Sequence, residues 1–178
     1  MTTSDREAFV QAQYPQNIFE NYAKLQIGAA QADFWRVLIL QKYGGIYMDI
    51  DAHLVWPLSS IIKPDDDELY ISIRRGDISN YFIASKPNNP HLEKIIQIIM
   101  NNIDQNELKN VYDLTGPNVF NLVLDKKKVN TKTYRYICNQ GNFTNEYFQY
   151  IDKKEGKWTR VQERIDIIKD NRSDPGSH

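Results

Sequence analysis

The period of the apolar residues changes abruptly at Gly44-Gly45, and this change constrains the chain more than any other feature. From Ala29 to Tyr43, the residues Ala30, Phe34, Val37 and Leu38 recur at helical spacing, and the two glycines provide a stop. Directly afterwards, Gly45-Ile46-Tyr47-Met48-Asp49-Ile50-Asp51 alternates, with Ile46, Met48 and Ile50 on one face and Tyr47, Asp49 and Asp51 on the other. A helix feeding straight into a strand is an α/β unit. The pattern predicts one strand through Asp51, its apolar face buried together with Leu54 and the two acids at the end of its polar face.

The rest of the chain supplies more units of the same kind. Pro64-Asp65-Asp66-Asp67-Glu68 reads as a solvated turn, without the glycine-punctuated spacing of a calcium loop, and leads to a strand at Leu69 to Ile73. A second strand is expected at Tyr81 to Ala84, and a helix from His91 to Ile103 with Leu92, Ile95, Ile96, Ile99 and Ile103 as its packing stripe. Asp113-Leu114-Thr115-Gly116-Pro117-Asn118 reads as a loop that opens a helix from Val119 to Leu124. Asp125 to Lys128 is a solvated connection, Tyr134 to Cys138 and Glu146 to Ile151 read as short strands, and His53 and His91 read as structural. A single domain over residues 1–169 with a disordered polar tail over 170–178 is the expected organisation.

Composition narrows the function. Lys plus Arg number 22 against 23 for Asp plus Glu, so no broad basic field draws the chain to nucleic acid, and any anionic ligand needs a local site. Cys138 has no internal disulfide partner, residues 1–13 lack the apolar core of a signal peptide, and no apolar run approaches the roughly 18 residues of a membrane span. The expected location is cytoplasmic, with room for peripheral membrane association.

Two carboxylates two positions apart on a strand point the same way, so the oxygens of Asp49 and Asp51 can converge on one hard cation, Mn2+ or Mg2+, which in turn can bind a diphosphate. Asp33 and Arg36 share a helix face away from the apolar stripe. As an exposed ion pair they contribute only about 0.3–0.5 kcal/mol; beside a metal site they can orient sugar hydroxyls and phosphate. Spacing alone leaves both readings open.

The run Ala32-Asp33-Phe34-Trp35-Arg36 through Leu40-Gln41-Lys42-Tyr43-Gly44-Gly45-Ile46-Tyr47-Met48-Asp49-Ile50-Asp51 resembles the signature of the DXD-containing sugar transferases, family 32-like. That family includes fungal initiating α-1,6-mannosyltransferases, bacterial capsule and lipopolysaccharide transferases and, more distantly, the glucosylating clostridial toxins. Weaker similarity runs through Asn80-Tyr81-Phe82-Ile83-Ala84-Ser85, Pro90-His91 and Thr115-Gly116-Pro117. The resemblance implies a GT-A-like, Rossmann-like α/β fold for nucleotide-diphospho-sugar transfer, and a metal-dependent, retaining transferase. Its donor would be a nucleoside diphosphate sugar carrying a hexose, and its acceptor a glycan or lipid-linked saccharide. It further implies that Asp33 and Arg36 contact the donor sugar, that Tyr47 lies near the nucleoside, and that Asp49 and Asp51 bind metal and diphosphate. Family members place a His and a Trp six positions apart near the end. Asp152 and Trp158 have that spacing here, which makes Asp152 a further candidate ligand and Trp158 a packing residue that can also cover the diphosphate.

The family's opening strand and helix, with their Ile-His-Gln-Trp-like segment, have no counterpart in this chain, so the expectation is either an N-terminally truncated fragment or a divergent element or partner chain that completes the base pocket. A non-catalytic nucleotide-sugar-binding module is therefore one alternative. A phosphatase of the haloacid dehalogenase type, which also uses Asp-x-Asp with Mg2+, is another, although His53 stands where such enzymes carry Thr or Val.

Overall fold

The computed structural model describes residues 2–141 and 157–169. Two helices open the chain: α1 (Thr3–Gln13), closed at its start by a capping box of Thr2 and Asp5, and α2 (Gln16–Lys24). The helix read from the sequence follows as α3 (Gly28–Tyr43) and leads into β1 (Gly45–Met48). Next come β2 (Ala52–Leu54), the one-turn α4 (Leu58–Ile61), β3 (Glu68–Ser72), β4 (Ile78–Ser85) and the long α5 (Pro90–Gln105). The short α6 (Val111–Leu114) and α7 (Pro117–Val123) precede β5 (Thr131–Thr133), α8 (Tyr134–Ile137) and β6 (Cys138–Gln140); Trp158–Val161 forms a further single turn.

The result is an α/β structure on a mixed sheet of order β1-β4-β3-β5. β4 pairs antiparallel with both β1 and β3, and β3 pairs parallel with β5. Alternation along the strands separates two apolar layers. Tyr70 and Ile83 face the larger core, where α3, α5 and α7 contribute Phe34, Val37, Ile95, Ile99 and Phe120. Leu69, Ile71, Phe82 and Ala84 face a smaller cluster closed by Ile61, Ile137 and Cys138. The β2–β6 ribbon crosses the end of β1 and brings Gln140 opposite Ala52.

Gly44 makes the helix-to-strand passage possible. It has φ +64°, and a Cβ there would lie 2.7 Å from Pro87 Cδ and 2.8 Å from Ser85 O. Both the conformation and the close approach call for glycine.

Several sequence expectations change. The strand ends at Met48 rather than Asp51, because after a last bond from the Asp49 N–H to Tyr81 O the chain turns, with the Ala52 N–H folding back onto Asp49 O at 3.0 Å. The buried face is also the opposite one: Ile46, Met48 and Ile50 are exposed, whereas Tyr47 packs against the larger core. β1 is a sheet edge, and the smaller layer does not extend over it, whereas α3 covers the Tyr47 side. Asp113 and Leu114 close the short helix α6 rather than lying in a loop. Tyr134–Ile137 is a helical turn rather than a strand, with extended pairing only from Cys138 to Gln140. Glu68 is not part of the solvated turn: it lies on β3 and accepts from Tyr70 Oη and Asn89 Nδ2 while His91 Nδ1 sits 2.9 Å away, which gives that histidine its structural role. The strand expected over Glu146 to Ile151 and the tail over 170–178 lie outside the described residues.

Candidate active site

A cleft of about 890 Å³ opens where β1 ends, with Asp33, Arg36, Tyr47, Asp49, Asp51 and Trp158 all on its wall. Its size suits a nucleotide-sized ligand. Its placement at the carboxyl end of a strand is the usual one for ligands in open α/β sheets.

Arg36 organises the floor. Its Nη2 lies 3.0 Å from Asp33 Oδ1 and its Nη1 3.4 Å from Asp49 Oδ1. The same guanidinium donates to Asn80 O at 2.8 Å and sits 4.3 Å from the centre of the Tyr47 ring. Tyr47 Oη in turn donates to Asp49 Oδ1 at 2.7 Å. These are not the exposed helix-face charges that spacing allowed: Asp33 is 7% and Arg36 6% exposed. A buried ion pair is tolerated only when its remaining lone pairs and protons find partners. Asn80 Nδ2 donates to Asp33 Oδ1 at 3.0 Å and Thr115 Oγ1 to Asp33 Oδ2 at 3.3 Å, which supplies them.

Burial is the largest influence on the buried Asp33 and the half-buried Asp49 alike. It pushes the Asp33 carboxyl above its ordinary value, against the Arg36 guanidinium and with the Asp49 charge adding to it. Burial likewise raises Asp49, opposed by Arg36 and the Tyr47 hydroxyl, with Asp51 repelling it. Burial also raises the Tyr47 phenol, so it stays protonated and serves as a donor to Asp49.

Asp49 and Asp51 converge, but by a turn rather than along a strand. Gln140 Nε2 donates to Asp49 Oδ2 at 3.2 Å and to Asp51 Oδ1 at 2.9 Å, so one oxygen of each carboxylate lies within hydrogen-bond reach of the same atom. This donor set fits a hard divalent cation: two carboxylate oxygens aimed at one point, open to the cleft, with the remaining positions left for phosphate oxygens and water. Among the described residues no group of three or more His, Cys, Asp or Glu gathers at one point, so the candidate ligands there are the two aspartates alone. Asp152 lies outside the described residues. Trp158 packs against the larger core, the packing role expected of it, and also lines the cleft.

Asn80, Thr115 and Gln140 complete the site without having been singled out as site residues from the sequence. Asn80 and Thr115 stood in the weaker matching segments, a signal that could have found them. Gln140 had none, because only the pairing of β6 with β2 brings it to the acids.

Residues 1–68 match the model of the glycosyltransferase sugar-binding region containing a DXD motif. A protein named as a toxin from Photorhabdus asymbiotica is 33% identical over 141 residues, covering 70% of this chain and 4% of the toxin. HOC1 of Saccharomyces cerevisiae, named as a glycosyltransferase, is 32% identical over 101 residues, covering 47% of this chain and 26% of that protein. An uncharacterized glycosyltransferase of Acanthamoeba polyphaga mimivirus is 27% identical over 150 residues, covering 77% of this chain and 58% of its own. The chain thus spans less than two thirds of each of these relatives. Among the described residues no helix is long and apolar enough to cross a membrane.

Proposed function

We propose, for a chain whose residues 1–68 match the glycosyltransferase sugar-binding region containing a DXD motif, that it moves a hexose from a nucleoside diphosphate sugar to a glycan or lipid-linked saccharide, with retention at the sugar carbon, on a GT-A-like fold. The observation that carries this reading is the single network joining Asp33, Arg36, Tyr47, Asp49 and Gln140 on the floor of one cleft.

Asp49 and Asp51 would hold Mn2+ or Mg2+, which supplies charge stabilisation to a departing diphosphate. The chain's own residues do the rest. Asp33 offers an acceptor for a sugar hydroxyl, and Arg36, fixed by Asn80 and Tyr47, holds that carboxylate and Asp49 in register. Tyr47 keeps its proton on Asp49 and presents its ring to the cleft beside the nucleoside position. Trp158 walls the side where the diphosphate would lie and limits water there. Groups fixed before the reaction stabilise developing charge without reorganising, and this is where such a site acts on the transition state more than on the ground state.

The test is a panel of nucleoside diphosphate sugars with added Mn2+, read as release of the nucleoside diphosphate. Turnover that disappears in Asp51→Asn, with the circular dichroism spectrum unchanged, is the expected result. Full turnover in Asp51→Asn overturns the assignment. Nucleotide binding by calorimetry without any release identifies a binding module instead, and phosphate release from para-nitrophenyl phosphate points to the phosphatase.

A further inference from the structure

A second cavity of about 470 Å³ opens beside the cleft and shares Tyr81, Tyr112 and Gln140 with it. Its far wall is the turn between β3 and β4, which carries Arg74 and Arg75, and its floor includes Tyr134. A molecule seated here would touch three residues that also line the cleft, among them Gln140, which bonds both Asp49 and Asp51.

The two walls differ chemically. On one side stand aromatic rings, two of them fixed by their hydroxyls: Tyr81 Oη donates to Cys138 O at 2.7 Å, and Tyr134 Oη accepts from Arg74 Nε at 3.2 Å and from Arg135 Nε at 3.0 Å. Tyr112 stands 43% exposed at the mouth. Aromatic rings on a cavity wall suit the apolar faces of a sugar, since they supply contact area at little entropic cost.

On the other side stand two exposed guanidinium groups that no carboxylate pairs among the described residues. The cavity's one carboxylate, Asp77, is engaged by Lys126 at 2.9 Å. Arg74 makes its hydrogen bond to a phenol, and Arg75 forms no ion pair among the described residues. The chain as a whole is close to neutral, so this cationic wall is local. Arginine forks match carboxylate and phosphate oxygens bidentately.

We propose that this cavity is the acceptor subsite and that it takes an anionic saccharide, a sugar bearing a phosphate or carboxylate, with its ring against Tyr112 and Tyr134 and its charge on Arg74 and Arg75. The assignment as acceptor rests on the donor reading of the neighbouring cleft. The anionic-saccharide site itself rests on the cavity's own residues.

The experiment titrates the full chain with mannose 6-phosphate, glucuronic acid, neutral mannose and inorganic phosphate, followed by ligand-observed NMR, and repeats the series in Arg74→Ala/Arg75→Ala and Arg75→Lys. Expected are tighter binding of mannose 6-phosphate or glucuronic acid than of either mannose or phosphate, at least a tenfold weakening in the double variant, and a smaller loss in Arg75→Lys. Equal binding of mannose and mannose 6-phosphate, binding of inorganic phosphate as tight as the sugar phosphate, or an unchanged double variant each overturns the proposal. Binding of uridine diphosphate with Mn2+ in the same samples reads the cleft separately. Its loss in Asp51→Asn alone, with the sugar phosphate still bound, supports two distinct subsites. Should no nucleoside diphosphate bind to any sample, the acceptor assignment falls with the donor reading, while the sugar titration still decides the anionic-saccharide site.

Discussion

Arg36 Nη1 lies 3.4 Å from Asp49 Oδ1, so one buried guanidinium ties the helix before the strand to the acid after it. The same group reaches Asp33 at 3.0 Å, and through it Asp33 and Asp49 become one electrostatic unit.

Arg36→Ala should therefore damage more than binding. It leaves Asp33 buried without its cation, a change that costs about 3–5 kcal/mol in comparable pairs. Urea denaturation should show that loss. Arg36→Lys should retain more of the stability but lose the stacking on Tyr47 and the bond to Asn80, so donor turnover should still fall sharply.

Gln140→Ala should leave the fold nearly untouched, within about 0.5 kcal/mol, because the side chain is exposed and neutral. Its bonds to Asp49 and Asp51 hold both carboxylates in one orientation. Removing such an outer support weakens metal affinity or activity by about 10–100-fold. Mn2+ titration followed by electron paramagnetic resonance checks this, and unaltered affinity removes Gln140 from the site.

The raised Asp33 carboxyl makes a prediction of definite sign. Its ordinary value is 3.8, and burial lifts it in the folded chain, so the folded state holds a proton that the unfolded state has released. The stability contributed is fully present below the ordinary value and is lost as pH rises through the folded one. Asp33→Asn removes this dependence. With a chelator present, the stability of Asp33→Asn relative to the native chain should therefore increase with pH across the acidic range. A relative decrease would mean that Arg36 outweighs burial.

Gly44→Ala tests the passage from α3 to β1. A methyl group there meets Pro87 and the Ser85 carbonyl in a left-handed backbone, and the cost should be about 1–3 kcal/mol or more. Because β1 leads directly to Asp49, donor turnover should fall along with the melting temperature.

By itself the sequence determined several of the local elements and named the candidate site's acids. The helical stripe from Ala30 to Leu38, the stop at Gly44 and the acids at Asp49 and Asp51 are all written in neighbouring residues, because helix periodicity and glycine's φ are short-range properties. Which face of β1 is buried was decided only by the tertiary structure. Alternation marks two faces but does not say which one a helix will cover, and here α3 covers Tyr47 and leaves Ile46 and Met48 in solvent. The burial of Asp33 with Arg36, the turn that joins the two acids and the arrival of Gln140 were likewise settled by packing, since each depends on residues from β4, α6 or β6 that no local pattern connects to them.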